Sequence, residues 1–157
     1  MVKKIYLAVL IFLIFSNVAL TSDDIGYKYY EKGQYDKAFK IWNKEIKRGN
    51  KEAMYNLGLL YYFGKGVSKD LVMAFMYCEK AALKGLARAQ NNLAFMYMKG
   101  IGTKKSYINA YAWSLIAINN GYRSHGIRDD AKINLTPAML YDANKLSTKI
   151  NKEIQYE

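Results

Sequence analysis

The side chains in this 157-residue chain most able to do covalent chemistry are one cysteine, Cys78, and one histidine, His125. A thiol becomes a nucleophile when a neighbouring cation or imidazole holds it as thiolate, and the imidazole in turn needs a carboxylate to orient it. Neither residue stands in a motif that supplies such a partner. One cysteine and one histidine also fall short of a metal-ligand set at the usual spacing. Gly64-Lys65-Gly66 has the glycines and lysine of a phosphate loop but lacks a preceding strand, and no serine or threonine follows the lysine. Asp129-Asp130 reads as acidic residues at a helix start, where the dipole favours them. The expectation is a protein with no catalytic residues, no cofactor and no metal.

The elements that must position these residues are internal repeats. Glycines 49, 85 and 121 recur at one period of thirty-six residues. The same shift pairs Ala53 with Ala89, Leu57 with Leu93, Tyr61 with Tyr97, Gly64 with Gly100, Gly66 with Gly102, Ala74 with Ala110, Tyr77 with Trp113 and Ala81 with Ala117. Ala53, Leu57 and Tyr61 are four apart and form one stripe of a helix. Two close glycines then let the backbone leave the helix through positive φ. Ala74, Tyr77 and Ala81 mark one face of a second helix, and small residues on both helices permit a close approach. A helix pair of this size cannot bury its apolar face alone, so successive pairs must stack. The expected fold is all-α, an α/α solenoid of stacked antiparallel helix pairs with a C-terminal capping helix. Cys78, on the second helix, is then a small packing residue.

The run Ala53-x-x-x-Leu57-Gly58-x-x-Tyr61-x-x-Gly64-x-Gly66-Val67-x-x-Asp70-x-x-x-Ala74-x-x-Tyr77-x-x-x-Ala81-Ala82 resembles the Sel-one-like repeat, a relative of the tetratricopeptide repeat with a longer loop between its helices. The next unit resembles it with departures at Ala94, Thr103 and Ile118. Gly26, Tyr29, Gly33, Tyr35, Ala38, Phe39 and Trp42 resemble an ordinary tetratricopeptide unit, with four fewer loop residues. The units fall at about 23–49, 50–85 and 86–121 of a single domain, 23–157.

Beyond Gly121, Leu135, Met139, Leu140, Ala143, Leu146 and Ile150 continue an apolar helical stripe, with Thr136 as its cap and Pro137 in its first turn. A shorter helix from about Arg128 to Asn134 precedes it, so 122–157 is the expected cap of the stack. At the other end, Lys3-Lys4 and an uncharged run from Ile5 to Phe15 read as a signal peptide over 1–22, with a retained anchor as the alternative. That places the protein in the periplasm or outside the cell.

The net charge is +11, of which Lys3 and Lys4 supply two. In an exported protein this points away from nucleic acid and toward an acidic protein or peptide, with membrane contact open but not required. The lone cysteine separates the chain from disulfide-clamped members of the family it resembles. The resemblance further implies that first helices line a concave surface. Carried onto this chain, the groove positions are Tyr27, Tyr30 and Glu31, then Glu52, Tyr55, Leu59, Tyr62 and Phe63, then Arg88, Asn91, Phe95, Met98 and Lys99. Leu59, Phe63, Phe95 and Met98 are expected to pack between units, which leaves Tyr55, Tyr62, Arg88 and Asn91 as the principal candidates. The favoured function is a non-enzymatic adaptor binding a protein or peptide; the alternatives are a secreted cell-wall or β-lactam hydrolase and a basic factor at a membrane surface. If the export reading is right, N-terminal sequencing of the protein from its own cells finds a start between Leu20 and Asp24, and an intact Met1 in a soluble cytoplasmic fraction refutes it.

Overall fold

A computed structural model describes residues 22–155. These form eight α-helices: α1 Ser22–Glu31, α2 Tyr35–Glu45, α3 Lys51–Phe63, α4 Leu71–Leu83, α5 Ala87–Lys99, α6 Tyr107–Asn119, α7 Gly126–Lys132 and α8 Pro137–Gln155. A single 3-10 turn, Ile46–Arg48, prolongs α2. The apolar run expected to direct export lies outside the described residues.

Helices α1–α6 pack as three successive pairs, α1 on α2, α3 on α4 and α5 on α6, and each second helix packs on the first helix of the next unit. Local sequence sets the helix ends. Asn50 Oδ1 accepts from the Ala53 amide at 3.0 Å, Asp70 Oδ1 from the Val72 and Met73 amides at 2.9 Å, and Ser106 Oγ from the Asn109 amide at 3.2 Å. Gly64 and Gly100 terminate α3 and α5 with φ of 68° and 71°. The loop after each is tied at the same place: the Asp70 amide donates to the Tyr61 carbonyl at 3.0 Å, and the Ser106 amide to the Tyr97 carbonyl at 2.9 Å.

The second glycine of each loop does more than turn the chain. A Cβ on Gly66 would stand 2.7 Å from Tyr35 Cβ, and one on Gly102 would collide with the Leu71 carbonyl oxygen. Tyr35 and Leu71 are the first residues of α2 and α4, themselves one period apart, so each loop presses on the start of the previous unit's second helix. Inside each pair the close contact is also sequence-coded. Gly58 meets the Ala74 carbonyl and the Cys78 amide, with a Cβ there 3.2 and 3.4 Å from them, and Gly26 lies so close to the Trp42 indole that no Cβ would fit. Trp42, Cys78 and Ser114 occupy one position in three units. The tryptophan therefore demands glycine opposite, while serine tolerates Ala94.

The core is continuous along the stack. Trp42, Leu57 and Leu60 anchor one end, Leu93, Ala94, Trp113 and Ile116 the middle, and Met98, Ala110, Tyr111, Ala131 and Ala143 the far end. The C-terminal segment is not another antiparallel pair. The short α7 packs on α6 and α5, while α8 packs on α6. Thr136 Oγ1 accepts from the Met139 amide at 3.3 Å to start α8. Leu135, Leu140 and Ala143 then seat on the far cluster, and Ile150 and Ile154 reach the central one. At about 1.5 Å per residue α8 is nearly 30 Å long, enough to close the stack and run back along it.

Gly102→Ala is expected to destabilise the chain well beyond Gly121→Ala. Both glycines have positive φ, 68° and 91°, but nothing lies within 4 Å of a Cβ at Gly121. Gly121→Ala should cost about 1–2 kcal/mol of backbone strain, and Gly102→Ala that plus the clash; equal shifts of the denaturation midpoint would mean that the loop contact carries no energy.

Candidate functional site

Two clefts open between successive first helices, and they are built from the same repeat positions. One lies between α1 and α3 with α2 as its floor, has a volume of about 210 Å³ and is lined by Tyr27, Tyr30, Trp42, Asn56 and Leu59. The other lies between α3 and α5 with α4 as its floor, has a volume of about 200 Å³ and includes Leu59, Tyr62, Cys78, Asn92 and Phe95 among its lining residues. Tyr27 corresponds to Leu59, Tyr30 to Tyr62, Trp42 to Cys78, Asn56 to Asn92 and Leu59 to Phe95. Leu59 belongs to both clefts and joins them.

The expected site residues divide among three places. Tyr27, Tyr30, Tyr55, Tyr62 and Phe95 line the two clefts, together with Leu59 and Phe63. Tyr62 and Phe63 stand edge to face with centroids 5.0 Å apart, and Phe63 is 55% exposed, so it forms an open wall and not the inter-unit packing expected of it. Glu52, Arg88 and Lys99 line neither cleft; Arg88 and Lys99 are exposed beside them, and Glu31 is exposed on α1. Met98 is buried in the far cluster, as its packing role required.

Asn91 has to be corrected. It is 9% exposed and does not face the groove; the cleft residue is its neighbour Asn92. Asn91 holds the repeat position of Tyr55, which points along the stack at the next first helix. For Tyr55 that helix is α5: Asn92 Nδ2 donates to Tyr55 Oη at 2.7 Å, and the Arg88 guanidinium carbon lies 5.0 Å from the Tyr55 ring centroid. For Asn91 the next first helix is α7, which packs on α5 and covers that direction. The signal for Asn92 was in the sequence, since Asn56 and Asn92 match at the repeat shift.

Tyr55 is thus half a bridge between units and half a cleft wall, and burial pushes its phenol above the ordinary tyrosine value. Lys65 is held on the outer side of the first cleft. Its Nζ donates to Tyr30 Oη at 2.9 Å and lies 4.7, 5.1 and 5.6 Å from the ring centroids of Tyr30, Tyr35 and Phe63. The hydrogen bond that Lys65 donates to Tyr30 stabilises the charged form of the lysine and raises its pKa.

Two polar side chains that line the first cleft make no hydrogen bond among the described residues, one with its N–H buried against Gly26 and one half-exposed. The Trp42 side chain is 1% exposed, and its Nε1–H has no acceptor. The Asn56 amide makes no hydrogen bond. In the second cleft, Cys78 is buried and donates to the Ala89 carbonyl at 3.3 Å; burial pushes its thiol up to about 12. At neutral pH such a thiol is protonated and a poor nucleophile. His125 is exposed at the start of α7. No group of three or more histidine, cysteine, aspartate or glutamate side chains is placed to hold a metal ion among the described residues.

Stacked helix pairs with a grooved inner face and a covered end define an α/α solenoid repeat protein. A family model described as the Sel1 repeat matches residues 51–86 and 87–122, the pairs α3–α4 and α5–α6 with their connections. The chain carries two Sel1 repeats, over 51–86 and 87–122. Its fold is similar to that of c5321, a protective antigen present in uropathogenic Escherichia coli strains displaying an SLR fold. The TM-score is 0.80 at 30% identity, over 85% of this chain and 30% of that one. It is also similar to a Sel1 repeat protein from Oxalobacter formigenes, with a TM-score of 0.60 at 34% identity over 64% and 42% of the two chains. Among curated proteins it resembles the ERAD-associated E3 ubiquitin-protein ligase component HRD3A of Arabidopsis thaliana, 35% identical over 65 residues, 41% of this chain and 10% of that protein. It also resembles DAP3-binding cell death enhancer 1 of Mus musculus, 36% identical over 58 residues, 37% and 11% of the two. The chain therefore spans about a tenth of the length of these two relatives.

With its pKa raised from 9.0 to about 12, Cys78 in the native chain at pH 8 should carry about a thousandfold less thiolate than a free cysteine. A disulfide reagent such as DTNB should titrate one thiol rapidly in denaturant and none on the same timescale in the native protein. Rapid native labelling would show the thiol to be accessible and ionised.

Proposed function

We propose that this chain is an exported, non-enzymatic binding module that takes a segment of a partner protein into the two joined clefts on its first helices. Sel1 repeats generally mediate protein–protein interactions, which sets the class of function. The observation that carries the reading to a site is the open aromatic wall of Tyr62 and Phe63 beside Leu59 and Phe95. Aromatic side chains exposed in a concave, partly apolar setting bury large areas on binding at modest entropic cost. The cations Arg88 and Lys99 at the margin, and the overall charge of +11, favour an acidic partner and speed its encounter.

Two features support binding over catalysis. The buried thiol of Cys78 is protonated, and the aromatic cleft residues are of the type that anchors interfaces. Export rests on the N-terminal sequence pattern. The partner named for a relative, such as DAP3 in the mouse protein, is a property of that protein.

A photocrosslinking amino acid placed at Phe95 should capture partner proteins in the native cells, whereas the same group at exposed Tyr141 on the capping helix should not. Tyr62→Ala and Phe95→Ala should each weaken binding of the captured partner by about 1–3 kcal/mol with helical content unchanged. Capture from position 141 with none from 95, or full binding by the folded double variant, would move the site elsewhere on the molecule.

A further inference from the structure

The outer faces of the three second helices differ in a way that the clefts do not account for. On α6, Ala112 and Ile116 are fully buried and Ile108 and Leu115 partly so. The next first helix, α7, packs on α6 as α5 packs on α4, so the additional cover comes from α8, which has no counterpart over α4. Ile116 shares the central cluster with Ile150 and Ile154 of α8, and Ile108 and Leu115 share the far cluster with Leu140 and Ala143.

One repeat earlier, the positions of Ile108, Ala112, Ile116 and Asn119 are held by Val72, Met76, Lys80 and Leu83 of α4. Spaced by four, four and three residues, these fall on one face of the helix and run about 16 Å along it. Val72, Met76 and Leu83 are 58%, 42% and 37% exposed. Another repeat earlier, the same positions carry Asp36, Lys40, Lys44 and Lys47, all exposed. The first unit gives this face to water, and the third covers it with the chain's own helix. The second keeps apolar residues there with no cover among the described residues. Single exposed apolar side chains are ordinary, but three in line on a face that a helix covers one unit later are not.

The charges and the backbone describe the occupant. Lys80 stands inside the stripe, with its Nζ 5.6 Å from the Tyr77 ring centroid, and makes no ion pair among the described residues. Lys84 follows at the end of α4. The one acid within α4, Glu79, is half-buried and acts on Tyr97 of α5, so it does not offset the outward lysines. With lysines at the equivalent positions of the first unit and a net charge of +11, a second copy of the chain is repelled and an acidic partner attracted. The face is built from side chains on an intact helix and offers no free main-chain group, so it suits a partner whose own main chain is already bonded.

We propose that the outer stripe of α4 is a second docking surface, independent of the clefts, and that it takes an amphipathic helix of a partner protein, apolar along one side and acidic beside it, lying on α4 as α8 lies on α6. Apolar side chains at helical spacing cover Val72, Met76 and Leu83, and a carboxylate pairs with Lys80.

The test pans a phage-displayed library of peptides on a helix-forming framework against the purified full chain, discards clones that also bind the Met76→Lys chain, and measures synthetic copies of the rest by fluorescence anisotropy. Selected peptides should carry apolar residues at i, i+4 and i+11 or the reverse, with Asp or Glu alongside, and should gain helical circular dichroism on binding. Met76→Lys and Lys80→Glu should each weaken binding at least about tenfold, and changing the peptide's acids to lysine should restore affinity for the Lys80→Glu chain. Both residues are exposed, so both variants should melt like wild type. The Tyr62→Ala/Phe95→Ala chain should bind these peptides as wild type does.

A library with no clone that separates wild type from Met76→Lys overturns the inference, as do selected peptides that ignore Lys80→Glu. Peptides lost on the Tyr62→Ala/Phe95→Ala chain sit in the clefts, which overturns this inference and leaves the binding-module reading in place. Sedimentation of the chain as a dimer that Met76→Lys dissociates, or with phosphatidylglycerol vesicles that Met76→Lys releases, would overturn it in favour of a second copy or a bilayer.

Discussion

A loop glycine with no room for a Cβ fixes each Sel1 repeat on the unit before it. Gly66 presses on the first residue of α2 and Gly102 on the first residue of α4, where any side chain would strike Tyr35 or the Leu71 carbonyl. Because the same contact recurs one period later, the units stack with a constant offset. That offset is what turns equivalent residues into equivalent clefts: Asn56 and Asn92, or Tyr30 and Tyr62, face the same way only because their helices are related by the same step. Core burial supplies the energy of stacking, but burial has no direction, and the backbone contact at the glycines supplies the register.

Much of this was legible in the sequence, because tight contacts leave type-specific marks. The paired glycines, the alanines at 53, 74, 81 and 89 and the pair Asp70 and Ser106 are residues that few others can replace, and they repeat, while Thr136 marks the start of the last helix. Face assignment was less legible. A helix of thirteen residues turns about 100° per residue, so Asn91 and Asn92 differ by a quarter of a turn, and which of them faces the groove depends on where α7 lies. That helix has no counterpart at the repeat shift. The C-terminal arrangement was hidden for the same reason: the stripe from Leu135 to Ile150 showed a helix with an apolar face, but its contact with α6 and its reach to the central cluster are tertiary facts.

The chemistry of the clefts reflects a division between residues that hold units together and residues left for a ligand. Cys78, Gln90 and Ser114 spend their polar atoms inside: Gln90 Nε2 donates to the Ala82 carbonyl at 3.0 Å and its Oε1 accepts from Asn120 Nδ2 at 2.9 Å. These bonds stitch α4, α5 and the end of α6, and they leave no reactive group in the core. Trp42 and Asn56, in the first two units, have no such internal partners. A buried unpaired donor costs about 1–3 kcal/mol, and here the Trp42 N–H lies against Gly26 of α1, so that cost is borne by the close packing of the first pair.

Tyr55 links these two roles. Its ring is a wall of the second cleft, while its hydroxyl and face are held by Asn92 and Arg88 of the next unit. A ligand pressing on that wall therefore acts on a contact between units as well as on a surface. Stability in a stacked array is approximately a sum of unit terms and nearest-neighbour interface terms, and anything that binds only the stacked form strengthens the interface by mass action. A segment lying across both clefts touches α1, α3 and α5 together, so it ties three units that otherwise meet only pairwise. The first pair gains most from this, since the loop after α1 is four residues shorter than those of the other units and the indole nitrogen of its tryptophan is the one fully buried side-chain N or O atom without a hydrogen bond among the described residues. Occupancy of the groove and cohesion of the N-terminal end of the stack are, on this physical basis, one equilibrium.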